Sequence, residues 1–225
     1  VVAATGTGKT MIAAFDYKRD QKEHPQARLG LIAHRVEIIR AALNTFQNVL
    51  KDQNFGELLS GDNHLTQKSH VFATIQTLTT GDIESFVASD YYDYIVLDEV
   101  HHSTASTYQK VLQYFKPTVL LGLTATPERM DGASILPDFN HRIAAEIRLA
   151  DALNKGLLCP FQYFGLTDQI DYTHVSWKGG RYDTQELTNL YTGNDLRVTQ
   201  VLKNIRTYCK SMDNICALGF CVSIG

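Results

Sequence analysis

The segment Ala4-Thr5-Gly6-Thr7-Gly8-Lys9-Thr10 constrains this chain more than any other stretch of it. The apolar run 1–3 before it reads as a strand, and residues 9–17 after it read as a helix. Glycines in the connection let the backbone bend so that successive N–H groups face one point. The helix that starts there adds the positive end of its dipole. Lys9 supplies a charge for phosphate oxygens and Thr10 a hydroxyl for a metal ion. Such a turn is a phosphate cradle, and its strand–turn–helix context is the one that function needs. The bland alternative is a glycine-rich turn with no ligand, and GTGKT in this setting speaks against it.

The rest of the first 158 residues repeats the same alternation. Short apolar runs predict strands over Leu29–Ala33, 71–74, 94–97 and Val119–Leu123. Brief runs of this kind suit strands covered on both faces. Amphipathic stretches predict helices over 9–17, Val36–Leu50, 104–114 and Leu149–Asn154. Strands alternating with helices give an α/β fold with a mostly parallel sheet flanked by helices.

After Pro160 the pattern changes. Residues 161–166 read as a further strand. Residues 172–182, with Gly179-Gly180 in the middle, read as a hairpin. Val198, Val201, Leu202, Ile205 and Tyr208 follow helical spacing, which predicts a helix over 195–212 capped by Asn194 or Asp195. The apolar run 217–224 reads as a fresh strand that opens a second sheet. The expected organisation is therefore a nucleotide domain over 1–158, a linker with hairpin and helix over 159–215, and the first strand of a second domain over 216–225. Val1 in place of Met is consistent with a fragment. Trp177, Tyr182 and Tyr191, with Lys178 and Arg181, either stack on a single nucleic-acid strand or pack against their own fold; packing is favoured.

At 225 residues, with 44% hydrophobic and 20% charged residues, the chain has the composition of a globular domain. No apolar run reaches the roughly 18–20 residues of a membrane span. A net charge of −3 does not advertise nucleic acid, although a local basic groove can sit on an acidic protein. Cys159, Cys209, Cys216 and Cys221 form no CxxC pair, so zinc is not indicated. They read as buried free thiols of a cytoplasmic protein.

The run Tyr94-Ile95-Val96-Leu97-Asp98-Glu99 is a buried strand ending in two carboxylates. Neighbouring side chains at a strand end point different ways, so the two acids can do different work. Asp98 is the candidate Mg²⁺ ligand and Glu99 the candidate base for an attacking water. Two such acids alone are often a solvated loop. Behind a phosphate loop they point to nucleotide chemistry. His101-His102 is a poor metal pair, because adjacent residues diverge. Glu99, and the lack of base-reading motifs, argue against the small GTPases.

At Asp98-Glu99-Val100-His101 the sequence resembles the DEAH/DExH branch of the superfamily 2 helicases. Further motifs follow in that family's order. Ala33-His34-Arg35 resembles motif Ia, Ala73-Thr74-Ile75-Gln76-Thr77 resembles motif Ib, and Leu123-Thr124-Ala125-Thr126-Pro127-Glu128-Arg129 resembles motif III with its flank. Ala3 stands where the general Walker pattern has glycine, a departure these helicases share. The motif set is most similar to the restriction-enzyme helicase-subunit group. The stretch 120–191 is similar to bacterial helicases of this type that carry an upstream phospholipase-D-like nuclease domain.

The resemblance implies a RecA-like P-loop fold that uses ATP and Mg²⁺. It makes Thr5, Gly6, Thr7, Gly8, Lys9 and Thr10 nucleotide-binding, and Lys9, Asp98 and Glu99 catalytic, with Thr10 and Asp98 holding the metal. His34, Arg35, Thr74, Gln76 and Thr77 would contact the nucleic-acid backbone. His101, Thr124, Ala125 and Thr126 would couple the two sites. For His34-Arg35 the bland reading is a solvated turn, and for Arg129 a surface ion pair.

A second RecA-like domain in the same chain is implied too. The base-reading Q motif and motifs V and VI are not in this sequence, so these residues alone are expected to bind nucleotide weakly and hydrolyse it hardly at all. TAT in motif III and DExHH favour DNA. An RNA-directed helicase, and a nucleotide-gated module that recruits a nuclease, are the competing readings.

Overall fold

A computed structural model describes the chain except residues 62–64, 82, 103–105, 129–133, 167–170, 179–180, 193–194, 210–212 and 221–225. Two compact units result, Val1–Gln162 and Tyr163–Gly225.

The first unit contains β1 (Val2–Ala3), α1 (Lys9–Glu23), β2 (Leu29–Ala33), α2 (Val36–Leu50), β3 (Glu57–Leu59), β4 (His70–Thr74), α3 (Ile75–Thr80), α4 (Ile83–Phe86), β5 (Tyr94–Asp98), α5 (Ser106–Tyr114), β6 (Val119–Leu123), β7 (Glu146–Ile147) and α6 (Leu149–Asn154). Five strands pair in parallel in the order β3-β4-β2-β5-β6, and β1 pairs in parallel with β7. The parallel bridge between Val2 and Thr124 joins the two sets. The phosphate-loop strand thus lies between β6 and β7, and the strands run as β3-β4-β2-β5-β6-β1-β7.

Alternation along each strand feeds two cores. Leu29, Leu31, Phe72, Tyr94 and Val96 meet Ala13, Ala14 and Tyr17 of α1 and Ile39, Ala42, Leu43 and Phe46 of α2. Ile32, Val71, Ala73, Ile95 and Leu97 meet Ile75 and Leu78 of α3 and Tyr108 and Val111 of α5. Both sheet faces are therefore covered, as the continuous apolar strands require.

At the N-terminal edge of the sheet, His70 stacks on Phe55 with ring centroids 4.4 Å apart. Its Nδ1 accepts the Leu29 N–H at 3.4 Å. Burial pushes the imidazole below its ordinary value, with Asp52 opposing. A base whose folded pKa is depressed contributes no penalty while both states are neutral. As pH falls below about 6.5 the unfolded chain takes up a proton that the native state resists, so stability is lost. The thermal midpoint is expected to fall between about pH 7 and pH 5 more steeply than that of His70→Gln. Parallel pH profiles for the two proteins would contradict this.

In the second unit, β8 (Trp177–Lys178) pairs antiparallel with β9 (Arg181–Tyr182), followed by α7 (Thr184–Tyr191) and α8 (Asp195–Tyr208). Asp183 caps α7 by accepting from Gln185 N at 2.9 Å and Glu186 N at 3.1 Å. The hairpin falls within its expected span, confined to Trp177–Tyr182; α8 starts at Asp195, which is its first residue and not a cap before it, and ends at Tyr208, short of the expected 212; α7 was not expected. Gly179, Gly180, Asn194 and residues 210–212 lie outside the described residues. No described residue of this unit is buried.

Three expectations are not met. Residues 161–166 form no strand, and they have no hydrogen-bonded strand partner among the described residues. Residues 217–220 likewise carry no regular structure and are exposed, while the rest of that expected strand lies outside the described residues. Cys159 and Cys216 are exposed and Cys209 is half-buried, in place of the buried thiols expected. Each of these cysteines falls in irregular backbone; Cys221 lies outside the described residues.

Candidate nucleotide and nucleic-acid site

Because β1, β2, β4, β5 and β6 are parallel, their C-terminal ends share one edge of the sheet, and the motif segments leave from that edge. Gly6 and Gly8 have φ of 87° and 84°, the left-handed region that a side chain would strain. Thr7 closes the turn, its N–H and hydroxyl reaching the Ala4 carbonyl at 3.2 and 2.6 Å. Gly8 caps α1 with no side-chain hydrogen bond, and the first turn holds no acid. No side chain of its own first turn therefore neutralises the positive end of this 15-residue helix. The Lys9 ammonium donates to the Ala3 carbonyl at 3.2 Å.

Asp98 ends β5 and is only 5% exposed. Its Oδ1 accepts the Glu99 N–H at 2.9 Å. Burial pushes its carboxyl above the ordinary range, and the Glu99 charge adds to that; the Glu99 N–H and the Lys9 ammonium pull the other way. The phosphate-loop lysine and the strand-end acid, 89 positions apart in the sequence, are thus within electrostatic reach of one another.

Glu99 has φ of 53°, a left-handed conformation costly for a residue with a side chain. That backbone turn sends the two carboxylates to different places. Asp98 stays inside, while Glu99 lines a cleft and meets His101 Nδ1 at 3.2 Å. The same nitrogen lies 3.1 Å from Thr124 Oγ1. Thr124 donates its one hydroxyl proton to the Thr126 carbonyl at 2.7 Å. Towards His101 it must therefore accept, so the geometry assigns the ring proton to Nδ1. Thr126 N–H donates back to Thr124 Oγ1 at 3.1 Å. Glu99, His101, Thr124 and Thr126 form one connected network, made possible by the pairing of Asp98 with Leu123.

A cleft of about 600 Å³ gathers Thr5, His34, Arg35, Glu99, His101, Ala125 and Thr126 with Glu37 and Ile38. Residues expected from four separate motifs thus meet in one depression. Thr74, Gln76 and Thr77 do not line it. They sit at the end of β4, on the far side of β2 from β5. Thr74 is buried and caps α3, its Oγ1 lying 2.8 Å from Thr77 Oγ1 and accepting the Thr77 N–H at 3.3 Å. Gln76 is exposed. His102's side chain and Arg129 lie outside the described residues.

Sequence reasoning missed Glu37 and Ile38, which line the cleft from the first turn of α2. It also missed Leu158, whose Cδ2 would lie 3.1 Å from a Cβ at Gly6. The signal for Glu37 was available: an acid in a first helical turn beside two basic residues. In the second unit, Trp177 and Tyr182 stand edge to face at 4.7 Å, and Tyr182 lies 6.3 Å from Tyr172. Tyr172 and Tyr191 share a hydroxyl hydrogen bond of 2.7 Å. The hairpin's aromatics thus pack on one another; Arg181 is exposed, and the Lys178 side chain lies outside the described residues.

A parallel sheet with phosphate loop, strand-end acids and the network beneath them at one edge defines a RecA-like nucleotide-using domain of the superfamily 2 helicase type. Residues 1–129, more than half of the chain, match the family described as type III restriction enzyme, res subunit, and the chain belongs to that family. It is 27% identical over 181 residues to the type I restriction enzyme EcoAI endonuclease subunit of Escherichia coli, covering 76% of this chain and 22% of that protein. The type ISP restriction-modification enzyme LlaGI, solved as a nuclease-deletion mutant with a DNA substrate mimic, shares the fold with a TM-score of 0.56 at 17% identity, over 70% of this chain and 18% of that one. The Pyrococcus furiosus Hef helicase domain does so with a TM-score of 0.51 at 19% identity, over 62% and 32%. The chain spans between about a fifth and a third of the length of the curated relatives it matches.

Proposed function

We propose that this chain is the nucleotide-binding half of an ATP- and Mg²⁺-dependent motor that moves on DNA. The observation that carries the reading is the convergence of Lys9 with Asp98, beside a cleft shared by Glu99, His34 and Arg35.

The residues fit the ligands the reading requires. Unneutralised N–H groups at the start of α1, two left-handed glycines and Lys9 suit a triphosphate. A buried carboxylate that resists its own charge suits a cation, and Asp98 with Thr10 would hold Mg²⁺. The metal's contribution there is to offset charge on the phosphate oxygens. Lys9 binds and orients the terminal phosphates. Glu99, kept in place by the His101 Nδ1–H, takes a proton from the attacking water. His101, Thr124, Ala125 and Thr126 connect that event to the cleft. His34 and Arg35 grip strand phosphates without reading sequence. Thr77 and Gln76 extend that grip, with Thr74 setting the start of α3 that presents them. DNA is favoured because the EcoAI and LlaGI proteins are restriction enzymes. A second RecA-like domain in the same polypeptide closes the nucleotide site, and a nuclease domain completes a cytoplasmic enzyme.

The test uses a protein that joins these residues to the second motor domain. ATP-driven displacement of a third strand from a DNA triplex is expected, together with ATPase stimulation greater by DNA than by RNA, and both are lost in Lys9→Ala. Brisk ATPase activity with no displacement would replace the motor by a nucleotide-gated binding module.

A further inference from the structure

Residues 145–158 run as a strap along the phosphate-loop strand. Val2 N–H donates to Ala145 O at 2.9 Å and Ala4 N–H to Ile147 O at 3.0 Å. At the strap's far end Leu158 rests against Gly6 of the loop. At its centre Arg148 reaches out to the segment that leaves the Thr124–Thr126 turn. Its Nη2 and Nη1 meet the two Glu128 carboxylate oxygens at 3.0 and 3.2 Å, and its Nε binds Glu146.

We propose that Arg148 is a positioning residue that clasps the turn after β6 to this strap, so that occupancy of the phosphate loop and of the strand cleft are felt by one another. The inference rests on the nucleotide and strand reading above. Arg148 is 39% and Glu128 64% exposed in the side chain. An exposed ion pair adds little to stability, so stability does not explain a three-point contact. Geometry does. A planar guanidinium holds a carboxylate in a fixed two-bond fork while its third nitrogen holds a second acid, which a lysine cannot imitate. Glu128 lies two residues beyond Thr126, which is bonded to Thr124 and through it to His101 and Glu99. One end of the clasp thus touches the network under the cleft, and the other belongs to the strap over the loop. Removing Arg148 also leaves Glu128 and Glu146 as like charges with no shared cation among the described residues.

The experiment measures coupling in the protein that joins these residues to the second motor domain. Affinity for a labelled single-stranded DNA is determined with and without Mg²⁺ and a non-hydrolysable ATP analogue. The ratio of the two affinities is the coupling, expected to be about fivefold or more. In Arg148→Ala and in Glu128→Gln the ratio is expected to fall close to one, with nucleotide affinity in the absence of DNA changed by less than about twofold and the melting temperature little moved. Arg148→Lys is expected to lose most of the coupling as well, since it keeps the charge but not the fork. An unchanged ratio in Arg148→Ala, or a loss that appears only alongside lowered melting temperature and nucleotide affinity, would overturn the clasp. A wild-type ratio of one would also overturn the clasp, whereas the nucleotide and strand reading stands or falls on the Lys9→Ala displacement test above.

Discussion

Lys9→Ala is expected to lower affinity for a nucleoside triphosphate about a hundredfold, equal to roughly 2.8 kcal/mol at about 1.4 kcal/mol per decade. The reason lies in the loop's construction. Its backbone is preset by Gly6 and Gly8, and the helix dipole is in place before any ligand arrives. Lys9 supplies the only full positive charge among residues 4–10. Truncating one partner of a hydrogen-bonded charge pair costs roughly 2–5 kcal/mol. The effect on folding should be small, because among the described residues the ammonium's hydrogen bond is to the Ala3 carbonyl at 3.2 Å, leaving the loss of its charge beside Asp98 as the remaining cost. Titration calorimetry on the wild type and the variant, with matched melting curves, checks both halves. Equal affinities would remove the loop from the nucleotide site.

Asp98→Asn is expected to raise the stability of the fold. The carboxylate is buried, and burial acts against its charged form. The sign follows directly. An acid whose folded pKa is raised destabilises the native state at neutral pH, and that penalty is relieved as pH falls through the folded pKa. Asparagine keeps an oxygen for the Glu99 N–H and removes the charge at every pH. A gain of roughly 0.5–2 kcal/mol is expected, the range seen when a functional site's strain is relieved. For a chain of this size that is a rise of about 2–4 °C in melting temperature per kcal/mol. A lower melting temperature for Asp98→Asn would show that the carboxylate is satisfied by the protein itself.

How much of this was readable beforehand depended on the physical signal each element carries. β2, α2, β6 and α6 have the limits their apolar spacing predicts. α1 runs on to Glu23, past the predicted end at Tyr17, because Lys18–Lys22 is polar but built of good helix formers, with Arg19 paired to Asp16. α3 was not foreseen: six residues rich in threonine hold a helix only because Thr74 caps it and Ile75 and Leu78 are buried. β3 and β7, of three and two residues, are too short for any periodicity. The motif residues were visible as residue types. Their connection was not, since the bond from His101 to Thr124 exists only through the register of β5 on β6. Thr74's capping of α3 is a local N-cap signal that was passed over, whereas Arg148's hold on Glu128 is a tertiary fact with no local signature.

The central claim is that Lys9 and Asp98 serve one triphosphate–metal pocket. The most direct measurement is the Mg²⁺ dependence of triphosphate affinity in the wild type and in Asp98→Asn. The prediction is that Mg²⁺ tightens binding to the wild type and no longer does so in Asp98→Asn, while binding without metal is equal in the two or tighter in the variant. A Mg²⁺ effect of the same size in both proteins would contradict the account.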